Sequence, residues 1–440
     1  MTSEKMQNQN TFFLKITEES DLSLEVVILV ILGVFMLLFG FLLFQIHRGA
    51  LPYTPDSTYG LFLVIVSLQI ITMGKTPFGD LRRSWILITV GIGTAIIGMT
   101  AGFIPGYLSE LVRLLVGFML LAGGIALILQ LFFSRDKAKT WIKASGMLQH
   151  LTIACTIVYA LTIVEGVITL QPGIIITPQI AVITIIYGLS FFYLSWCLHK
   201  VSHIYPSNDM GNPEINTQDK NGIRSKGIFK LFREASLSLT FAVLILMGVL
   251  LTLLGILLFP VNSGLIPFSP DGQFGLLLFI FSIQMMALGE TLLGPFKRSW
   301  LMVIIGLAFA VLGIFSCIVP GILTVVIPKL IGSLSIIGGA LLITQRFLSQ
   351  QQEKIHENMK PDLEKTEIES INYKLMITQT LINIVAIVFG ISALMEGLLP
   401  GMIVAGLLVT YGLILFVLVF ILHKMTLIEI KGKDLSEAAV

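Results

Sequence analysis

Twelve times along the chain, a run of roughly 20 residues passes with almost no charged side chain, the length an α-helix needs to cross the hydrocarbon core of a bilayer. The runs lie near 24–45, 59–74, 85–104, 111–133, 146–165, 178–198, 237–259, 274–289, 300–319, 330–345, 375–395 and 402–422. In lipid every backbone N–H and C=O must find a partner inside the protein, which leaves helices or closed barrels. Runs this long and continuous fit helices. Charged residues make up 12% of the 440, about half the share of a soluble domain, so a water-soluble enzyme is excluded. The chain reads as all-α, a polytopic bundle of twelve transmembrane helices with the lipid bilayer as its partner.

Lysine and arginine orient the bundle, because short loops rich in them stay in the cytoplasm. Lys75, Arg82 and Arg83 lie between spans 2 and 3, Arg135, Lys137, Lys139 and Lys143 between spans 4 and 5, and Lys297 and Arg298 between spans 8 and 9. Of the 28 Lys and Arg, only Arg48, Arg113 and Lys329 fall on the opposite side. Trp85, Trp141, Trp196 and Trp300 all sit at span ends on the Lys/Arg-rich side, where an indole keeps its N–H wet. Both termini are therefore expected in the cytoplasm and the protein in the inner (plasma) membrane. Residues 1–23 are polar and lack a small-residue cleavage pattern, so the first span reads as a retained anchor. No basic patch suits nucleic acid.

The sequence also repeats itself. At a shift of 215, Leu22–Ser134 aligns with Leu237–Ser349 without a gap, and more than a third of the positions are identical. Spans 5 and 6 pair with 11 and 12 through Glu165-Gly166 with Glu396-Gly397, Tyr187-Gly188 with Tyr411-Gly412, and His199-Lys200 with His423-Lys424, which implies a shorter outer loop in the second half. Each half holds an even number of spans, so the halves read as two parallel six-helix repeats about an axis along the membrane normal. The boundaries are a cytoplasmic segment 1–23, a first repeat 24–200, a cytoplasmic linker 201–235, a second repeat 236–424 and a tail 425–440. The linker is polar and turn-rich, and a second polar stretch, 349–370, reads as a short surface helix.

Gly33 and Gly40, Gly91 and Gly98, Gly248 and Gly255, and Gly306 and Gly313 are seven apart, on one helix face, where glycine lets a neighbouring helix come close. A pore or hinge is the other reading. Spans 3–4 and 9–10 form hairpins with Trp at entry, a Pro105-Gly106 or Pro320-Gly321 turn, and a returning helix with Gly117 and Gly123-Gly124 or Gly332 and Gly338-Gly339. This pattern resembles the HdeD-type acid-resistance membrane proteins, small six-span proteins built from such hairpins, and the chain looks like two of them fused. The resemblance implies a part in acid or envelope stress and carries no catalytic residue.

Ionisable groups inside the bilayer are costly and therefore informative. Glu165 and Glu396, in matching positions of the two halves, are candidate proton or ion sites, or else solvated interfacial carboxylates before a helix-ending glycine. Spans 2 and 8 look short and interrupted, and carry Ser67 and Gln69, Ser282 and Gln284 at matching positions. These are candidate polar sites in the sense of a transporter's broken helices, or hydrogen bonds that lock the bundle. Ser67 and Gln69 stand about 200° apart on the helix and cannot line one cavity. Thr152, Cys155, Thr156, Tyr159 and Thr162 form a polar stripe on span 5, a water path or a packing face. Glu110 and Arg113 read as a local surface pair, replaced by Val325 and Pro328 in the second half.

Cys155, Cys197 and Cys317 lie in apolar runs, which suits neither a disulfide framework nor a metal site. The histidines sit at span edges, not as pairs inside facing helices where haem would want them. No phosphate loop, metal cluster or nucleophile elbow occurs, so no enzyme and no cofactor are expected. Three functions stay open: a non-enzymatic HdeD-like stress protein, a secondary transporter or proton/small-solute permease, and a membrane anchor for a larger complex. Six plus six spans are also the plan of the major facilitator superfamily, but GKTPFGDLRRS (74–84) has that family's loop acid and arginines misplaced. A homo-oligomer is compatible with all three.

Overall fold

The computed structural model describes residues 20–72, 85–106, 108–133, 146–204, 239–288, 290–291, 294–295, 299–356, 365–395 and 397–437. The loop 74–84, Trp141, Glu396 and most of the linker lie outside them. Twelve helices form among the described residues: α1 Leu24–His47, α2 Pro55–Thr72, α3 Trp85–Phe103, α4 Ser109–Phe133, α5 Met147–Leu170, α6 Thr177–Ile204, α7 Leu239–Asn262, α8 Pro270–Leu288, α9 Trp300–Ile318, α10 Val326–His356, α11 Lys365–Leu394 and α12 Gly401–Glu437. The one other regular element is a two-residue antiparallel pairing of Glu290–Thr291 with Gly294–Pro295. Among the described residues ten helices are long and apolar enough to cross a membrane, and α2 offers a shorter apolar stretch, Pro55–Ile71.

Local chemistry sets the helix ends. Ser23 and Ser299 cap α1 and α9, each Oγ accepting a backbone N–H three residues on, from Val26 and Met302, at 3.4 Å, which satisfies one of the orphan donors of a first turn. The helices are apolar all round, and large apolar side chains such as Phe118, Ile304 and Phe420 are exposed on the outside of the bundle. Water would penalise that surface and lipid does not.

Helix pairing repeats between the halves. In the first, α1 packs on α6, α2 on α3 and α4 on α5; in the second, α7 packs on α12, α8 on α9 and α10 on α11. Glycines make each crossing close. A Cβ on Gly60 would meet Gly98 O at 2.5 Å, and one on Gly275 would meet Gly313 O at 2.8 Å. The helices thus touch backbone to backbone, gaining dispersion contacts that a lipid tail could not supply.

The contacts between the halves are reciprocal as well. The α3 helix lies against α7 and α8, and the equivalent α9 against α1 and α2. Two backbone hydrogen bonds cross the seam in matching places, Thr54 N–H to Ile318 O at 3.2 Å and Ser269 N–H to Phe103 O at 3.3 Å. Phe103, Leu276 and Phe279 beside them are fully buried, so the seam is packed with apolar side chains.

Two expectations are corrected here. Spans 2 and 8 are not interrupted: α2 and α8 run unbroken for 18 and 19 residues, their polar Ser and Gln absorbed within regular helix. The polar stretch 349–370 is not a separate surface helix, because α10 continues through His356 and α11 begins at Lys365.

Candidate functional site

Glu165 stands on α5 five residues before its end, about 7.5 Å into the bundle at 1.5 Å per residue, and is only 8% exposed. The Thr184 hydroxyl, from α6, reaches its Oε1 at 2.9 Å and Ile180 O at 2.9 Å. Among the described residues Thr184 is the carboxylate's one hydrogen-bond partner, and Glu165 lines a cavity of about 40 Å³, enough for a few waters. Its walls come from Phe35, Met36 and Phe39 of α1, Thr58, Tyr59 and Phe62 of α2, Val116 and Leu120 of α4, and Thr169 beside the glutamate.

Above the cavity, Arg113 closes the end of α5. Its Nη1 donates to Thr169 O and Leu170 O at 2.8 and 3.2 Å, and its Nη2 and Nε donate to Glu110 Oε2 at 2.7 and 3.1 Å. A cation on the last carbonyls of a helix satisfies them and complements the negative end of its dipole. The expected Glu110–Arg113 pair therefore forms, but only Glu110 is a surface group, at 79% side-chain exposure against 21% for Arg113.

A second cavity, of about 20 Å³, lies in the other half and overlaps that place in part: Leu251, Ser335, Phe389 and Leu408 line it at positions matching Met36, Leu120, Glu165 and Thr184, while Phe281, Val385, Ala386, Leu407 and Tyr411 carry it away from the positions matching Phe35, Phe39 and Phe62. Packing fixes which residues correspond. A Cβ on Gly124 would meet Ile163 and Tyr159 O, and one on Gly339 would meet Ile387 and Asn383 O. Gly188 and Gly412 likewise face Gly33 O and Gly248 O. These contacts put α5 and α6 in register with α11 and α12 at a constant shift of 224.

That register corrects the matching of Glu165 with Glu396. The counterpart of Glu165 is Phe389, and that of Thr184 is Leu408. Gly166 ends no helix, since it packs on Leu121 and Gly117 of α4 as Gly390 packs on Gly332 of α10. Gly397 corresponds to Gly173, both turn glycines at φ 82° and 98°, a left-handed backbone that a side chain disfavours. The loop after α11 is therefore as long as the loop after α5. Glu396 falls in it, outside the described residues.

The remaining candidates serve packing. Ser67 and Ser282 are fully buried, and each donates to a carbonyl of its own helix, Val64 O and Phe279 O, at 2.7 Å. Gln69 is half-buried and Gln284 buried, and none of these four lines either cavity. On α5, Thr152, Thr156 and Thr162 donate to carbonyls four residues back, and Thr162 pairs with the Tyr187 hydroxyl at 2.7 Å. Asn383 is the second-half counterpart of Tyr159 at the 224 shift. The three cysteines are buried and free, and among the described residues no group of three or more His, Cys, Asp or Glu could hold a metal.

Two carboxylates escaped sequence reasoning. Asp56 Oδ2 accepts Gly106 N–H at 2.7 Å, and Asp271 Oδ2 accepts Gly321 N–H at 3.0 Å while its Oδ1 takes the Thr324 hydroxyl at 2.5 Å. They pin the two Pro-Gly turns 50 residues away. Their identity at the 215 shift was visible in the sequence, but nothing local announces the long reach.

Residues 89–161 and 304–358 match the model of a short repeat of unknown function, DUF308. The matches begin 215 residues apart, the shift at which the sequence aligns with itself, and each opens inside the helix that starts a Pro-Gly hairpin. No curated protein and no solved structure matches the chain. The chain thus carries two copies of the DUF308 repeat, the repeat family to which the HdeD-type acid-resistance membrane proteins belong.

Proposed function

We propose that the chain is a non-enzymatic integral protein of the inner (plasma) membrane, and that it contributes to acid or envelope stress tolerance through the buried carboxylate of its first half. Its twelve spans form two parallel six-helix repeats with both termini cytoplasmic. The apolar exterior, the recurring helix pairing and the two DUF308 copies support this architecture.

One observation carries the functional part: at matching positions of the two halves, one cavity is lined by Glu165 with Thr184 and the other by Phe389 with Leu408. A carboxylate charge so far from water costs several kcal/mol unless a proton or counter-charge accompanies it. The second half carries an apolar pair at the matching positions, both buried. Tyr59 from α2, Tyr187 from α6, and Arg113 with Glu110 from α4 are the other titratable groups around it, and Arg113 is already engaged by Glu110 and two carbonyls.

The same carboxylate favours a second reading, a proton or small-solute permease of six-plus-six architecture. Both cavities lie within a half and not at the seam between halves, which suits a local acceptor better than one central transport site. A host lacking the gene, challenged with acid, tests the first reading. Wild type should restore survival and Glu165→Gln should not; equal protection by both overturns it. Liposomes with an imposed pH gradient separate acceptor from permease, since only a permease dissipates the gradient in a Glu165-dependent way.

A further inference from the structure

We infer that the first-half cavity binds a small monovalent cation of the ammonium type, with Glu165 as counter-ion and a ring of aromatic side chains as its apolar wall. The inference rests on Glu165 being the working carboxylate of the first half. It names what that carboxylate holds.

The wall of the Glu165 cavity is aromatic on two helices, with Phe35 and Phe39 of α1 and Tyr59 and Phe62 of α2. Phe35, Phe39 and Phe62 of the first half stand where the second has Leu250, Leu254 and Leu277. Three of these rings gather beside the carboxylate, Phe35 lying 5.6 Å from Phe62 and 6.1 Å from Phe39, centroid to centroid, whereas the rings of the second cavity, Phe281, Phe389 and Tyr411, have no carboxylate among them. Leucines fill such space equally well for packing, as the second half demonstrates. An aromatic π-face adds attraction for a cation within about 6 Å of its centroid, an attraction that strengthens when the cation is desolvated.

The hydroxyls supply the rest of the recognition. Thr58 donates its proton to Thr54 O at 2.9 Å, and Thr169 donates to Glu165 O at 2.7 Å. The Thr184 proton goes to Glu165 Oε1 or Ile180 O. The three hydroxyls have their protons engaged, so with the Glu165 carboxylate they make the polar part of the wall one of acceptors. An anion finds no donor among the three, whereas an ammonium ion has four N–H groups to place. Arg113 and Asp56, the nearest fixed charges on α4 and α2, are held by Glu110 with two carbonyls and by Gly106 N–H. A cavity of about 40 Å³ admits an ion the size of a water molecule, and tetramethylammonium, of the same charge, has no N–H to offer its acceptors.

The test is thermal unfolding of the purified protein in detergent at neutral pH, in ammonium chloride, potassium chloride or tetramethylammonium chloride at matched ionic strength. Ammonium should raise the midpoint by about 2–4 °C over the other two salts. The rise should vanish in Glu165→Gln and in the double variant Phe35→Leu with Phe62→Leu, which imports residues the second half already accommodates. Equal stabilisation by potassium or tetramethylammonium overturns the assignment, as does a rise that survives in either variant. If no salt acts while Glu165→Gln still fails the acid challenge, the cation site falls and the proton-accepting carboxylate stands; if that variant also protects like wild type, both fall.

Discussion

Glu165→Met should make the protein more stable while removing its function. Methionine matches the length of glutamate and leaves no orphan behind, because the Thr184 hydroxyl keeps Ile180 O at 2.9 Å as an acceptor. The loss is one hydrogen bond between a hydroxyl and a carboxylate. The gain is that no carboxylate has to leave water for a site 8% exposed and walled by Phe35, Phe39 and Phe62. Replacing buried ionic groups by well-packed apolar ones is commonly neutral or stabilising by 1–4 kcal/mol, and the Phe389–Leu408 pair shows this architecture holding apolar side chains at the same place. The expected result is a thermal midpoint at least about 2 °C above wild type, measured in detergent without ammonium salts, together with failure in the acid challenge. A gain in stability with a loss of activity marks a site retained for function at the expense of the fold. A lower midpoint would refute the reasoning, because it would make Glu165 a structural residue whose partners need it.

Other outcomes follow from the same contacts. Gly98→Ala should destabilise by about 1–3 kcal/mol, since its Cβ would meet Gly60 O at 2.6 Å, while Gly93→Ala, with nothing within 4 Å, should be neutral or better; urea or SDS titration compares the two. Asp271→Asn should weaken the fold more than Asp56→Asn by about 1 kcal/mol or more, because Asp271 accepts from both Gly321 and Thr324 whereas Asp56 Oδ1 has no partner. Glu396→Gln should leave acid tolerance at wild-type level, in contrast to Glu165→Gln, in the same survival assay. A cysteine at Leu265, 77% exposed after α7, should react with an impermeant maleimide from outside intact cells; labelling from the cytosolic side alone would reverse the proposed orientation.

The architecture was legible because lipid leaves the chain few choices. Long uncharged runs become helices whatever their details, and glycines seven apart mark faces of close approach, so Gly91 and Gly98 do lie against Ser67 O and Gly60 O. The cavity was less legible, since its contributors sit on five helices. Thr58, Tyr59 and Thr184 carry no local pattern that singles them out, and Glu165 alone drew notice because it is ionisable. The concerted exchange of three phenylalanines for leucines was present in the alignment at 215, yet it acquires meaning only when the rings are seen around one carboxylate.

The mistaken partner of Glu165 has a specific cause. Glu-Gly occurs at 165–166 and at 396–397, and a two-residue identity cannot distinguish two uses of glycine. Gly166 is small because Leu121 N would stand 2.6 Å from any Cβ placed there. Gly397 is glycine because its backbone turns at φ 82°, with nothing near it. The first constraint belongs to a helix crossing, the second to a loop, and they recur at Gly390 and Gly173 respectively. Helix crossings cannot slide by seven residues without dislodging every glycine contact along them, so the register set by Gly124, Gly166 and Gly188 outweighs the dipeptide. Once it is adopted, symmetry between the halves ends at the carboxylate. The second half keeps the helix crossings around the site and not its charge, as expected if one copy of the duplication was left to hold the bundle while the other retained or acquired a ligand.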